Sequence, residues 1–355
     1  MHGIQRFKRL ICQFIIIIVV LYIIIKLLSN IELYKQLSVK NTSIQDTFLH
    51  RSEQIKNICS LSISNEGSLT SETKLISSNL YWLQESKIAY CPVFKSASST
   101  WLENLILLSG ASTERIKEAK QKYRGSLIHQ IQHVGAIHPS EQFWSDYVSQ
   151  NQSKDLIAFM VVRHPFERLV SAYRDKLERI DQHYYEKYGK KIVYRFRDKA
   201  IKTLGSDFFD KSNNYGTFLK VENDNRPNAN LPSFWEFVQS VIIKLNMDEH
   251  WQPMFQYCSI CHPIQLQVNP YILKFENLNE EQAEFMEDEG WRNKIDNTIQ
   301  LNVNRFAGMT SEEITKLYFS NLSDNDIKNL YKVYKYDFLL FEYTFKIRNI
   351  TLPFS

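Results

Sequence analysis

The pattern of hydrophobic and polar positions divides the chain into three stretches. Leu10 to Leu28, LICQFIIIIVVLYIIIKLL, is apolar over a length that can cross a bilayer, with Gln13 and Lys26 its only strongly polar side chains. Residues 29–80 are rich in Ser, Asn, Thr, Gln and Lys with scattered hydrophobics, the pattern of a flexible stem. From Tyr81 onward, strand-length apolar runs alternate with helical periodicity. The predicted organisation is therefore a tail at 1–9, a transmembrane helix at 10–28, a stem at 29–80 and one folded domain at 81–355.

Two strand–loop–helix units stand out in that domain. Ile88 to Phe94, IAYCPVF, reads as a strand and leads through KSASSTW into a helix with Trp101, Leu102, Leu105, Ile106 and Leu108 on its apolar side. Leu156 to Val162 is an unbroken apolar run, as expected of a strand covered on both faces. Arg163 and His164 follow it, and Pro165 is preset for a first helical turn. Phe166, Leu169, Val170, Tyr173 and Leu177 then share one helix face, leaving Arg168, Ser171 and Arg174 on the other. This places Arg163 and Ser171 near a helix amino terminus, a favourable place for an anion. Repetition of the unit predicts an α/β fold with a central parallel sheet and flanking helices, its ligands beyond the strands' carboxyl ends. Further elements are a helix capped by Ser233 with Glu236, a strand at Tyr271 to Phe275 and a helix at Asp324 to Leu340.

Charge changes this picture little overall and more locally. The 43 basic and 39 acidic residues leave a net +4, too mild to announce a nucleic-acid partner. Arg6, Lys8 and Arg9 precede the apolar run, so the positive-inside rule keeps the amino terminus cytosolic and sends the rest to the lumen of a single-pass type II membrane protein. N-x-S/T sequons at Asn41, Asn151, Asn321 and Asn349 suit that side of a membrane. Beyond the span lie Cys59, Cys91, Cys258 and Cys261, enough for two disulfides in any of three connectivities. Cys258, Cys261 and His262 spell C-x-x-C-H, a haem-attachment pattern for which disulfide bonding is the plainer reading. Ala172 to Lys202 carries ten basic residues against five acidic ones, either a solvated face or a rail for an acidic polymer.

KSASSTW puts Lys95 and the hydroxyls of Ser98, Ser99 and Thr100 where a strand turns into a helix, an arrangement suited to phosphate. It lacks the glycines of a Walker A loop, which argues against a phosphate-loop kinase. Together with VRHPFERLVSAYR, Val162 to Arg174, it resembles the PAPS-dependent carbohydrate sulfotransferases of the chondroitin, dermatan and HNK-1 type. Similarities continue through YEKYGKKI (Tyr185 to Ile192), DEHWQPMFQYCSICHP (Asp248 to Pro263), YILKFENL (Tyr271 to Leu278) and LYKVYKYDFLLFEY (Leu330 to Tyr343). Phe94, the pair Leu102 and Glu103, and His164 depart from the family's usual residues.

The resemblance implies a P-loop-like sulfotransferase fold and a Golgi membrane enzyme that moves a sulfuryl group from PAPS (3′-phosphoadenosine 5′-phosphosulfate) to a glycan hydroxyl. Chondroitin or dermatan, at the 4-O of N-acetylgalactosamine, is the acceptor class it points to, and no metal is required. The 5′-phosphosulfate would be held by Lys95, Ser96, Ala97, Ser98, Ser99, Thr100 and Trp101, and the 3′-phosphate by Arg163 and Ser171. Lys95 would also stabilise the departing phosphate. His133 is the expected base, with His129 and His250 as runners-up. Arg174, Lys190 and Lys191 are expected at the glycan. The alternative is an inactive relative that serves as a glycan-binding or assembly protein.

Overall fold

A computed structural model describes residues 26, 44–66, 77–150, 152–178, 181–204, 231–245, 247–295 and 308–353. Apart from Lys26, the expected membrane span lies outside these residues, as do Asn41, Asn151 and Arg179 of the basic stretch. Among the described residues no helix is long and apolar enough to cross a membrane.

Four strands form the central sheet, in the order β1 (Tyr81–Leu83), β2 (Ile88–Cys91), β3 (Ile157–Val162) and β4 (Tyr271–Lys274). β2, β3 and β4 are parallel, as expected, while β1 pairs antiparallel with β2 and makes the sheet mixed. Pro92, which has no N–H to give to a ladder, follows the last residue of β2 and shortens the expected strand. The central strand β3 is buried from Ala158 to Val162, in agreement with its unbroken apolar run.

Helix α1 (Ile44–Glu66) corrects the expected stem. From His50 onward it belongs to the same compact unit as the sheet. Arg51 donates two bonds of 2.7 Å to the Glu281 carboxylate and one of 2.6 Å to the Ile272 carbonyl of β4. Cys59 is bonded to Cys261, and Cys91 to Cys258, which settles the connectivity. The buried face of α1 mixes Phe48, Ile55 and Cys59 with Arg51 and Ser52, and an ion pair and a disulfide anchor it, so the polar members interrupt the apolar stripe and hide the helix from a hydrophobic pattern.

The remaining elements that position the site are α2 (Ser98–Leu108), α3 (Thr113–Lys122), α4 (Leu127–His133), α5 (Pro165–Tyr173), α6 (Lys190–Leu204), α7 (Phe234–Ile242), α8 (Ser311–Phe319) and α9 (Asp324–Leu340). Ser233 caps α7 reciprocally with Glu236, as its spacing predicts. The core is strongly aromatic. Trp101 of α2 packs edge-on against Phe159 of β3 at 4.7 Å, and Phe166 of α5 meets Phe319 of α8 and Phe338 of α9 at 4.7 and 5.0 Å. A hairpin of β5 (Phe345–Ile347) and β6 (Ile350–Leu352) follows α9 and closes over Phe166 through Phe345.

Candidate functional site

The loop between β2 and α2 owes its shape to two residues in the left-handed region, Lys95 at φ 70° and Ala97 at φ 59°. The result is an alternation: Ser96, Ser98 and Thr100 are buried, while Lys95, Ala97 and Ser99 are partly exposed. Ala97 is the cap residue of α2 and has no side-chain oxygen to offer its first amides. Trp101, expected at the nucleotide, is fully buried against Phe159 and Phe285. Its side chain holds α2 to the sheet.

The Lys95 ammonium lies 2.8 Å from the Asp175 carboxylate. Burial pulls the Lys95 pKa below its ordinary value, and Asp175 opposes that pull. Burial pushes Asp175 up, but Lys95 and then Lys176, at 3.3 Å, outweigh it and hold the carboxyl below its usual range. Asp175 follows Ser171 by four residues, in a segment (Arg174–Glu178) where α5 widens into a π turn. Such turns collect at functional sites.

Arg163 joins the two loops. Its guanidinium donates to the Lys95 carbonyl at 3.0 Å and to the Ser311 hydroxyl of α8 at 2.5 Å, and it sits 4.4 Å over the ring of Phe275. Glu167 lies 3.8 Å from its Nε. The two stretches singled out in the sequence are thus in direct contact. Ser171 is half-buried two turns into α5, roughly 9 Å along the axis from the helix start.

The start of α5, expected to be a favourable place for an anion, carries a side-chain cap. His164 is its cap: the Glu167 amide donates to Nδ1 at 3.4 Å, Nε2 lies 3.1 Å from the Thr344 carbonyl, and the His164 amide donates to Glu276 at 2.7 Å. Burial pushes the imidazole down to about 4, so it is neutral at pH 7. An acid would serve the same cap, which accounts for the histidine there.

Arg168 and Arg174 also depart from the exposed face assigned to them. Arg168 is buried and donates to the carbonyls of Phe94, Gln252 and Glu249 at 2.7–2.8 Å, pinning the segment before Lys95. Arg174 keeps 12% of its side chain exposed, 3.7 Å from Glu178, so it does not stand on an open glycan face. Lys190 and Lys191 are exposed at the start of α6, Lys190 in an ion pair of 2.5 Å with Glu186. Arg195, Lys199 and Lys202 continue that outward face.

His133 ends α4, half-buried, with Nε2 3.6 Å from Glu118 and its ring 5.5 Å from Tyr123. Its carbonyl accepts from Arg115 of α3 at 2.8 Å. None of these contacts joins it to Lys95 or Arg163. His129 is exposed, 2.6 Å from the Ser126 hydroxyl. His250 lies against the loop, its ring 4.8 Å from that of Phe94. Reading along the sequence missed Asp175 and Ser311, whose partners lie 80 and 148 residues away.

The profile of the sulfotransferase family matches residues 79–344, which include both loops and every strand of the central sheet. The chain belongs to the sulfotransferase family. Mouse carbohydrate sulfotransferase 11 is 27% identical over 326 residues, 88% of this chain and 80% of the relative. Human carbohydrate sulfotransferase 10 is 27% identical over 303 residues, 83% and 75% of the two chains. Mouse carbohydrate sulfotransferase 8 is 26% identical over 277 residues, 75% and 57%. No solved structure matches. This sulfotransferase therefore carries the loops of Lys95 and Arg163 within the matched region, joined by Arg163.

Proposed function

We propose that this sulfotransferase works in the Golgi lumen as a single-pass type II membrane protein, moving a sulfuryl group from PAPS to a hydroxyl of a glycan. Chondroitin or dermatan, at the 4-O of N-acetylgalactosamine, is the acceptor the sequence resemblance favours. The observation that carries the reading is the bond from Arg163 to the Lys95 carbonyl, which unites both phosphate loops in one basic site. The donor set fits PAPS: a partly buried lysine, an uncapped helix start and a guanidinium one bond away. Lys95 and the first amides of α2 would hold the 5′ end, and Arg163 with Ser171 the 3′-phosphate. Bound there, PAPS supplies a sulfuryl group on a phosphate that leaves as 3′,5′-adenosine bisphosphate. Asp175 holds Lys95 in place until an anion competes for it, and Lys95 then neutralises charge on the phosphate oxygen.

Two disulfides support an oxidising compartment. Asn349, exposed at the turn between β5 and β6, and Asn321, half-buried in the turn after α8, are proposed glycosylation sites with Asn41 and Asn151. Lys190, Lys191 and the outward face of α6 would meet the acidic glycan, and that attraction should weaken with salt.

Incubating the lumenal part, beginning before α1, with labelled PAPS and a panel of desulfated glycosaminoglycans tests the reading. Label in 4-O-sulfated disaccharides is the expected result. Binding of adenosine bisphosphate without transfer to any acceptor would overturn it.

A further inference from the structure

Resting on that proposed reaction, we propose that His250, oriented by Asp248, is the base that takes the proton from the acceptor hydroxyl. Asp248 and His250 precede a short helical turn (Met254–Tyr257), and both are buried. The His250 Nδ1 lies 2.7 Å from Asp248 Oδ1. That oxygen also accepts the His250 amide at 3.1 Å, so side chain and backbone hold one geometry. The other carboxylate oxygen takes the Tyr188 hydroxyl at 2.6 Å and lies 3.6 Å from the Lys187 ammonium. Asp248 is therefore satisfied as an anion, and its bond fixes the proton of the imidazole on Nδ1. The lone pair is left on Nε2, the tautomer a general base requires.

The same residues tie this pair to the phosphate loop. The His250 ring lies against Phe94, the residue before Lys95. Its neighbours Glu249 and Gln252 give their carbonyls to Arg168, which also binds the Phe94 carbonyl. On the other side the Tyr184 hydroxyl is 3.1 Å from His250 Nδ1, and the Tyr184 ring carries Lys176, which pairs with Asp175, the partner of Lys95. The contacts of His133 include no such orienting carboxylate in the interior: its partner Glu118 is 62% exposed.

In the step, the acceptor oxygen bonds to sulfur as its proton passes to His250 Nε2. The bond from sulfur to the bridging phosphate oxygen breaks, and its electron pair stays on the phosphate beside Lys95. The imidazolium is held by Asp248 and returns its proton to water. Burial lowers the His250 pKa, Asp248 raises it, Lys176 lowers it and Glu249, 4.0 Å away, raises it. Asp248 is thus a positioning residue whose loss should also make His250 harder to protonate.

His250→Asn should cut kcat about 100-fold or more, a typical general-base contribution, with affinity for 3′,5′-adenosine bisphosphate within about threefold of wild type. His133→Ala should stay within about threefold in kcat. Nitrogen NMR of the nucleotide-free protein should show His250 Nε2 unprotonated at pH 7. Asp248→Asn should move the His250 titration and the acid limb of the kcat profile together to lower pH. Should these variants fail to fold, coincidence of the wild-type His250 titration with the acid limb decides the matter. A His250→Asn enzyme with near-normal kcat, an Nε2–H tautomer, or an acid limb that ignores the His250 titration overturns the base assignment. An active wild type with an active His250→Asn variant sinks only this inference, whereas a wild type inactive on every acceptor sinks the proposed reaction.

Discussion

The β2–α2 and β3–α5 units share one design, a buried parallel strand running through a charged loop into a helix, yet they spend their polar groups differently. In the first, Lys95 and Ala97 adopt left-handed backbone, α2 starts without a side-chain cap, and the lysine is held by a carboxylate that another anion can replace. In the second, Pro165 starts a regular helix, His164 caps it, and Arg163 and Arg168 are committed to carbonyls and a hydroxyl of neighbouring segments. A helix start binds an anion only while its amides are free. The first unit accordingly leaves its helix start without a side-chain cap, while the second caps its own and braces the first loop through Arg163 and Arg168, Arg163 being also the residue proposed for the 3′-phosphate.

The largest effect expected from this contrast is on turnover. Lys95→Ala should reduce sulfate transfer by about 10^3-fold, as for removal of one preorganised charge at a leaving group, while the thermal midpoint stays within a few degrees of wild type. A collapse of the midpoint would show that Lys95 is structural and erase the distinction. Arg168→Ala should do the reverse of Lys95→Ala, destabilising the fold by roughly 3–5 kcal/mol because three buried carbonyls lose their donor. Urea unfolding measures this, and a loss below 1 kcal/mol would contradict the shaping role given to the second unit.

The third effect depends on pH. The unfolded chain protonates His164 near 6.5, the folded chain only near 4. Acidification therefore feeds protons to the unfolded state first. The His164 contribution is whole above about pH 6.5 and falls away toward pH 4, by roughly 3 kcal/mol. His164→Gln should flatten stability across that window, and an unchanged slope would remove the neutral cap. Smallest is Ala97→Gly, which relieves the left-handed alanine and should stabilise the protein by about 1 kcal/mol. A destabilised variant would mean that the first loop carries no backbone strain at this position.

Local patterns were legible wherever one segment decides its own structure. Asp324 to Leu340 forms the expected helix with unchanged bounds, and the strands at 156–162 and 271–275 are each one residue shorter than expected. What escaped depends on partners far along the chain. Arg168 follows helical spacing to an apparently polar face, yet carbonyls from residues 249 and 252 draw it inside. Trp101 carries the motif's signature but serves the core. The site was half readable for the same reason: Lys95 and Arg163 lie within motifs, while Asp175 and Ser311 matter only once folding brings them close. β1 reverses direction through the short turn between Leu83 and Ile88, which no periodicity of three residues announces.

Both disulfides end on the four-residue segment Cys258 to Cys261, one coming from α1 and the other from the last residue of β2. They span 202 and 167 residues, so neither can close before the ribosome has passed residue 258. At a translation rate of about 5–20 residues per second, the strand that feeds the Lys95 loop waits roughly ten seconds or longer for its crosslink. Throughout that interval the emerging chain carries Cys59 and Cys91 as free thiols that can pair with each other or with another protein. Crosslinking of the sheet and α1 to this segment is thus a late event in the synthesis of the chain, and a thiol oxidant has to act on it after residue 261 is made.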